Sequence, residues 1–466
     1  MHCVLLGLEL AGISPETKLV LVRFVQMYGL WESITIGVKE FAKASGATDR
    51  VVTSALSELV AEGLLIRTPI VCGRGRPKSG YRASNKLSRL LEGENNKLNV
   101  MNRPKIDHVL NPSAENCKGG LSVCNRLLLS TLLLYADQFG VVRGIGVSRL
   151  SQATGLNRDR IKAQVHKLIA LRVMRGVIPG VATSVALGVS KSVYFINFHH
   201  DFFQKGSSGA IVLTFVSKSS GDSGGMSEVA AIIGSAQLGK GLSFERHKKY
   251  SGILPDSDRF NELAGLFSSL AKDRGSSRAL QVRLEEYASG LLSKHWNALE
   301  LGQFNSDDEL QVRIKKDFKK GTGSGRDFTG DGLRGELYFE FIYVVAVLMA
   351  RRMQSLVLSV KGFSHEIAGL QILPSFEPGP YFGRFAVGRS LLIVPGNSFR
   401  AGECYVMNES NLGEPACEWF SSEEELPEID RYRYGLFFQV HTPTRYRYRG
   451  KSLCVPVMGS NSLPTS

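Results

Sequence analysis

GVKEFAKASGATDRVVTSALSELVAEGLL, residues 37 to 65, returns in altered form as GVSRLSQATGLNRDRIKAQVHKLIALRVM, residues 146 to 174. Gly46 and Gly155 fall in register, 109 positions apart. At the same offset Val38 matches Val147, Phe41 matches Leu150, Ala44 matches Ala153, Val52 matches Ile161, Leu56 matches Val165 and Leu59 matches Leu168. Self-similarity at a fixed offset marks a module made twice. Each copy reads as a short helix, a glycine turn, an N-cap residue (Thr48 or Asn157) and a second helix whose apolar positions keep helical spacing. The glycine stands where the chain must bend sharply between helices.

Working outward, a further apolar helix precedes each motif, Thr17 to Tyr28 and Asn125 to Phe139, followed by the β-prone runs ITIGV and VVRGIGV. Two strands follow each motif. They are Leu64 to Cys72 and Gly80 to Ala83 in the first copy, and Val173 to Ile178 and Val193 to Phe198 in the second. Between the first pair lies GRGRPK, Gly73 to Lys78, a basic glycine-proline loop. Helix, strand, helix-turn-helix and hairpin is the order of a winged helix domain, and both copies resemble the winged helix-turn-helix DNA-binding regulators of bacteria.

That resemblance, over about the first 200 residues, implies that the second helix of each motif enters the major groove and that the wing follows the backbone or enters the minor groove. With Val52, Leu56 and Leu59 facing a core, Arg50, Thr53, Ser54 and Ser57 point outward in the first copy. In the second copy the outward set is Arg158, Lys162 and His166, with Arg160 at the edge. Arg and Lys donate to guanine or phosphate, whereas Ser and Thr both donate and accept. The wing tip adds Arg74, Arg76 and Lys78, and its RGRP core resembles an AT-hook. Arginine suits the concentrated negative potential of a narrow A·T-rich minor groove. The second wing, GVIPGVATSVALGVSKS, has Lys191 as its only basic residue, so it is expected to pair with a protein chain or to dimerise.

Composition agrees with a polyanionic partner. The 466 residues carry 57 Lys and Arg against 43 Asp and Glu, a net charge of +14, and so great a length predicts more than one core. Seven scattered cysteines with no CxxC pair suggest neither a disulfide framework nor a zinc site, which fits a reducing cytoplasm. No basic segment and cleavage site open the chain as in a signal peptide. The apolar run Leu337 to Ala350 contains Glu340 and falls short of the roughly 20 residues that span a bilayer, so it reads as a buried helix and no membrane partner is expected.

The second half offers less. Residues 206 to 241 turn to Gly and Ser, with one strand foreseen at Ile211 to Val216. Gly221 to Gly225, GDSGG, matches the surroundings of a protease serine, yet the region before it reads as winged helices and holds no Ala-Ala-His-Cys-like segment. Gly321 to Gly332 is glycine-rich, but Arg326-Asp327 stands where a phosphate loop needs Lys-Ser or Lys-Thr. His199-His200 beside Asp201 has no metal-ligand spacing. Helical patterns run from Asp256 to Lys361, and short strands follow near Leu370 to Leu373, Phe382 to Val394, Glu403 to Met407 and Leu436 to His441. In RYRYGLFFQVHTPTRYRYRGK, strand alternation would align Arg431 with Arg433, and Arg445 and Arg447 with Arg449, opposite their tyrosines. Thr442-Pro443-Thr444 would be the turn, making a second phosphate-binding face.

The sequence thus predicts an α+β protein. Winged helix domains occupy 1–100 and 101–205, a Gly/Ser-rich linker 206–250, and a separate C-terminal α+β domain 251–466, helical first and β-rich at its end. The expected function is sequence-specific binding of double-stranded DNA in transcriptional regulation, by a cytoplasmic homodimer without enzymatic activity, cofactor or metal. The second reading is an initiator or accessory protein of plasmid or mobile-element replication, a class that also uses tandem winged helices.

Overall fold

The computed structural model describes residues 1–30, 33–70, 78–92, 101–111, 121–181, 190–203, 209–216, 274–319, 332–360, 367–374, 389–396, 402–408, 416–437, 443–448 and 451–456. Helix and strand are mixed throughout.

The duplicated stretch folds the same way twice. The first copy runs α1 (His2–Gly7), α2 (Pro15–Tyr28), β1 (Ile34–Thr35), α3 (Val38–Ser45), α4 (Asp49–Ala61), β2 (Leu65–Ile70) and β3 (Lys78–Ala83). After α5 (Asn85–Glu92) and α6 (Arg103–Leu110), the second copy runs α7 (Val123–Leu134), β4 (Val141–Val142), α8 (Val147–Thr154), α9 (Arg158–Ala170), β5 (Met174–Ile178) and β6 (Val193–Ile196). Both small sheets are antiparallel with the late strand in the middle, β1-β3-β2 and β4-β6-β5. Ser14 caps α2 by accepting from the Thr17 amide, and Ser122 caps α7 by accepting from the Asn125 amide.

The two copies are not independent units on a string. Apolar side chains from Cys3 to Phe203 form one continuous core in which α2 meets α7. Polar ties across this seam come from two buried basic side chains. Lys18 of α2 donates to Ala153 O at the end of α8, and Arg126 of α7 donates to Gly46 O at the turn after α3, at 2.8 Å.

The C-terminal unit is built on a five-stranded sheet, β11-β10-β7-β9-β8, from β7 (Ile211–Val216), β8 (Ile367–Ile372), β9 (Arg389–Pro395), β10 (Cys404–Asn408) and β11 (Ala416–Phe420). Here the foreseen boundaries are corrected. The strand at Ile211 to Val216 is the central strand of this sheet, parallel to β10 and antiparallel to β9, so the unit begins well before residue 251. One face carries the long helices α10 (Arg274–Glu300) and α12 (Gly332–Leu358), with α11 (Asp308–Lys319) beside them. Leu213, Leu370, Ile372, Leu391, Ile393 and Met407 pack into that layer. Within α12, Gly335–Leu358 is the one described helix long and apolar enough to cross a membrane. Tyr338, Ile342, Val345, Ala346, Met349, Met353 and Val357 bury its inner face in the core of this unit, against α10.

The opposite face of the sheet lies on the sheet of the second copy. Strand alternation, with a register irregularity between Met174 and Gly176 that switches the face of β5, shows how: Val142, Met174, Tyr194 and Ile196 face the helices of their own module, while Val141, Ile178 and Phe195 point the other way. There they meet Val212, Leu392, Leu373, Cys404 and Val406. Two sheets packed face to face make the C-terminal unit part of one body with the second copy, not the separate domain that composition suggested.

The arginine-tyrosine stretch also departs from expectation. Glu428–Arg433 is a short helix, α13, so Arg431 and Arg433 do not alternate along a strand. Leu436 and Phe437 are turn residues buried between the units, not the start of a strand. The hairpin forms later in sequence: β12 (Pro443–Tyr448) pairs with β13 (Lys451–Pro456), Tyr448 opposite Lys451, so Pro443 and Thr444 belong to a strand and not to a turn.

Candidate nucleic-acid interface

Each second helix is fixed at its start by a glycine and a capping side chain. Gly46 (φ 60°) and Gly155 (φ 73°) end the preceding helices in the left-handed region, where a Cβ is strained. Thr48 accepts from the Val51 amide and Asn157 from the Arg160 amide, the latter at 2.8 Å. Val52, Ala55, Leu56 and Leu59 anchor α4, and Ile161, Val165, Leu168 and Ile169 anchor α9. What remains outside is the foreseen set. Arg50, Thr53, Ser54 and Ser57 are exposed on α4, and Arg158, Arg160, Lys162 and His166 on α9.

Their local bonding separates the two helices. Thr53 Oγ1 donates to Asp49 O at 2.8 Å and Ser57 Oγ to Thr53 O at 3.0 Å. With their protons turned back into the helix, both hydroxyls face outward as acceptors. On α9 Arg158, Arg160 and Lys162 are cationic donors, but Arg160 is already engaged. Its Nη2 donates to Glu16 Oε1 at 2.8 Å and to Cys124 Sγ at 3.1 Å, and the Cys124 thiol donates to the same carboxylate oxygen at 3.3 Å. Burial works against the Glu16 charge, yet its backbone hydrogen bond and Arg160 prevail and hold its pKa below the ordinary value. Burial and the neighbouring carboxylate push Cys124 up to about 11, so it stays a thiol.

The wing positions divide. Arg74 and Arg76 lie outside the described residues, and Lys78 opens β3 without a described side chain. Below them two further cations, missed in the sequence, stay in water: Arg67, whose Nη2 donates to Ser79 Oγ at 2.8 Å, and Arg82. Their signal was available, since they flank GRGRPK on the strands that carry it. Lys39 and Lys43 are likewise exposed on α3.

Among the described residues, the strands of the second sheet carry no exposed cation. Its Arg175 is 1% exposed and forks onto Glu423, Nη1 to Oε1 at 2.9 Å and Nη2 to Oε2 at 2.5 Å. Arg175 also donates to Leu436 O at 3.3 Å and lies over the Phe437 ring. His199 Nδ1 is 3.2 Å from Arg175 Nη2 and its Nε2 is 3.0 Å from Ala210 O. Because the guanidinium only donates, Nδ1 must accept, and the proton sits on Nε2 and goes to Ala210 O. A second proton would face the guanidinium, and burial together with Arg175 lowers the His199 pKa to about 4. Glu423 stays charged because Arg175 outweighs the burial penalty. The His199-His200-Asp201 run is therefore structural: Asp201 N reaches Glu424 Oε1 at 3.4 Å, and no group of metal-ligating side chains occurs among the described residues.

Of the C-terminal arginines singled out in the sequence, Arg431 is the one whose side chain is described. Arg431 donates to Leu426 O at 3.0 Å and Glu424 O at 3.2 Å. Arg445 and Arg447 stand on β12 opposite Cys454 and Ser452, Arg433 is on α13, and Arg449 lies outside the described residues. The GDSGG stretch and most of the glycine-rich loop at 321–332 also lie outside them.

Set against protein-family models, curated proteins and solved structures, the chain matches none.

Proposed function

We propose that residues 1 to 203 are two fused winged helix modules that bind double-stranded DNA sequence-specifically, in a transcriptional regulator. One observation carries the reading. The unit helix–strand–helix–helix–strand–strand, with its last strand central in the sheet, occurs twice, and both times the second helix of the turn motif leaves a polar or basic face uncovered. A helix so placed suits the major groove, and the exposed Arg67 and Arg82 beside GRGRPK suit phosphates or the minor groove. The net charge of +14 favours the same partner.

The test is recovery of bound DNA from the genome with the full-length chain, followed by gel shifts at several salt concentrations. Enriched sites overlapping promoters are expected. Equal, equally salt-sensitive binding to every sequence would sink the specific-regulator reading. Directly repeated sites beside an A·T-rich origin would move the assignment to replication initiation. Arg74→Ala/Arg76→Ala is expected to weaken binding more than Arg158→Ala/Lys162→Ala, since the first module holds DNA by helix and wing and the second by its helix alone.

A further inference from the structure

We infer that the two modules are related by an intramolecular pseudo-twofold axis, so that a single chain takes an imperfect inverted repeat of double-stranded DNA whose halves are read by different chemistry. The inference rests on the DNA-binding reading above and adds the arrangement of the site.

Reciprocity of contacts is the mark of twofold pairing: residue i of one unit meets j of the other, and j meets i. In a head-to-tail stack that return contact is missing. Here Lys18 and Arg126 are equivalent, each four residues beyond the serine that caps its helix, Ser14 or Ser122. Lys18 of the first module reaches Ala153 O, at the turn motif of the second, and Arg126 of the second reaches Gly46 O, at the turn motif of the first. Ala153 matches Ala44, two residues before Gly46, so the two basic side chains cap the same helix end in each other's module. Both are buried, Lys18 at 2% and Arg126 at 4% exposure.

The axis can be placed. On a twofold axis a residue touches its own equivalent. Glu16 and Cys124, each two residues past the capping serine, are in contact, with Cys124 Sγ 3.3 Å from Glu16 Oε1. Arg160, in the first turn of α9, joins both, so the axis runs past the start of a reading helix. Modules related in this way read the two strands of a duplex in opposite directions, and the dyad of the protein falls on a dyad of the DNA.

The symmetry stops at the exposed faces. Thr53 and Ser57 stand at the positions equivalent to Lys162 and His166. The hydroxyls on α4 offer acceptors and suit the amino groups of adenine or cytosine, whereas the cations of α9 suit the acceptors of guanine. The halves of the site are therefore inverted but unlike.

Selection from a randomised duplex pool with the full-length protein at fixed salt tests this. Two unlike half-sites in inverted order are expected, bound by one chain per duplex in sedimentation. Reversing one half to direct order should weaken binding at least about tenfold. Arg158→Ala/Lys162→Ala, two exposed positions, should relax base preference in one half only. Half-sites in direct order, indifference to the reversal, relaxation in both halves, or two chains per duplex would each overturn the inference while leaving DNA binding intact. A pool with no enriched sequence removes both readings, and is told apart because no half-site is then found.

Discussion

Residues 66 and 175 occupy the same place in the two copies, 109 positions apart on the outer face of the module's sheet, and they could hardly differ more. Ile66 is half-buried on a sheet whose neighbours Arg67 and Arg82 remain in water. Arg175 is sealed between two sheets and paired with Glu423. The same fold has put one surface to two uses. The first copy leaves Arg67 and Arg82 of its sheet in water, and the second gives up its sheet to dock the C-terminal unit.

The sharpest way to break this contrast is Glu423→Gln. It leaves the Arg175 guanidinium buried without its carboxylate, and chemical denaturation should show a loss of about 3–5 kcal/mol. Ile66→Ala in the first copy should cost far less, about 1 kcal/mol, because the site is open to water. Comparable losses at both positions would show that the two sheets are not used differently.

Acid should separate the copies by about 2–3 kcal/mol. His199 takes a proton near 6.5 in the unfolded chain but only near 4 in the fold. Between those values the unfolded state binds more protons, so stability falls as pH drops from 6.5 towards 4. Glu423, with its lowered pKa, adds to the loss further into acid. β1, β2 and β3 contain neither histidine nor acid. Hydrogen exchange at pH 4.5 should therefore open Met174–Ile178 and Val193–Ile196 before Leu65–Ile70, and the reverse order would contradict the assignment.

On DNA, removing cations and removing hydroxyls should differ in kind. Arg158→Ala/Lys162→Ala is expected to cost 1–3 kcal/mol and to flatten the salt dependence of binding by about one to two phosphate contacts. Thr53→Ala/Ser57→Ala should alter base preference with little change in salt slope. If both pairs change the slope alike, the chemical difference between the reading helices has no consequence. Smallest of all, Gly46→Ala and Gly155→Ala should each cost about 1 kcal/mol, since both glycines hold positive φ. Equal costs would confine the divergence of the copies to their surfaces.

The duplicated element order was legible because buried positions repeat: Val52, Leu56 and Leu59 against Ile161, Val165 and Leu168 state the helix faces without any tertiary knowledge. The outward sets on α4 and α9 came with them. What escaped the sequence is long-range. Nothing near Ile211 says that its strand will pair with residues near 393 and 405. The basic character of Lys18 and Arg126 reads as surface charge until their equivalence across the repeat is noticed. Alternation of Arg and Tyr suggested a strand over 431–434, where the acidic first turn of Glu428–Arg433 favours a helix. Arg431 is spent on backbone carbonyls that local patterning cannot reveal.

The position of β7 also sets the order of assembly during synthesis. This central strand leaves the ribosome early, yet its two neighbours are β9 and β10, at Arg389–Pro395 and Cys404–Asn408. Pairing across so long a stretch of chain closes large loops and is slow. Until β9 and β10 have been made, Val141, Ile178 and Phe195 of the second module lack most of their partner layer, and β7 lacks both of its neighbouring strands. The nascent protein thus passes through a stage with an apolar sheet face open, when a chaperone or self-association competes for it.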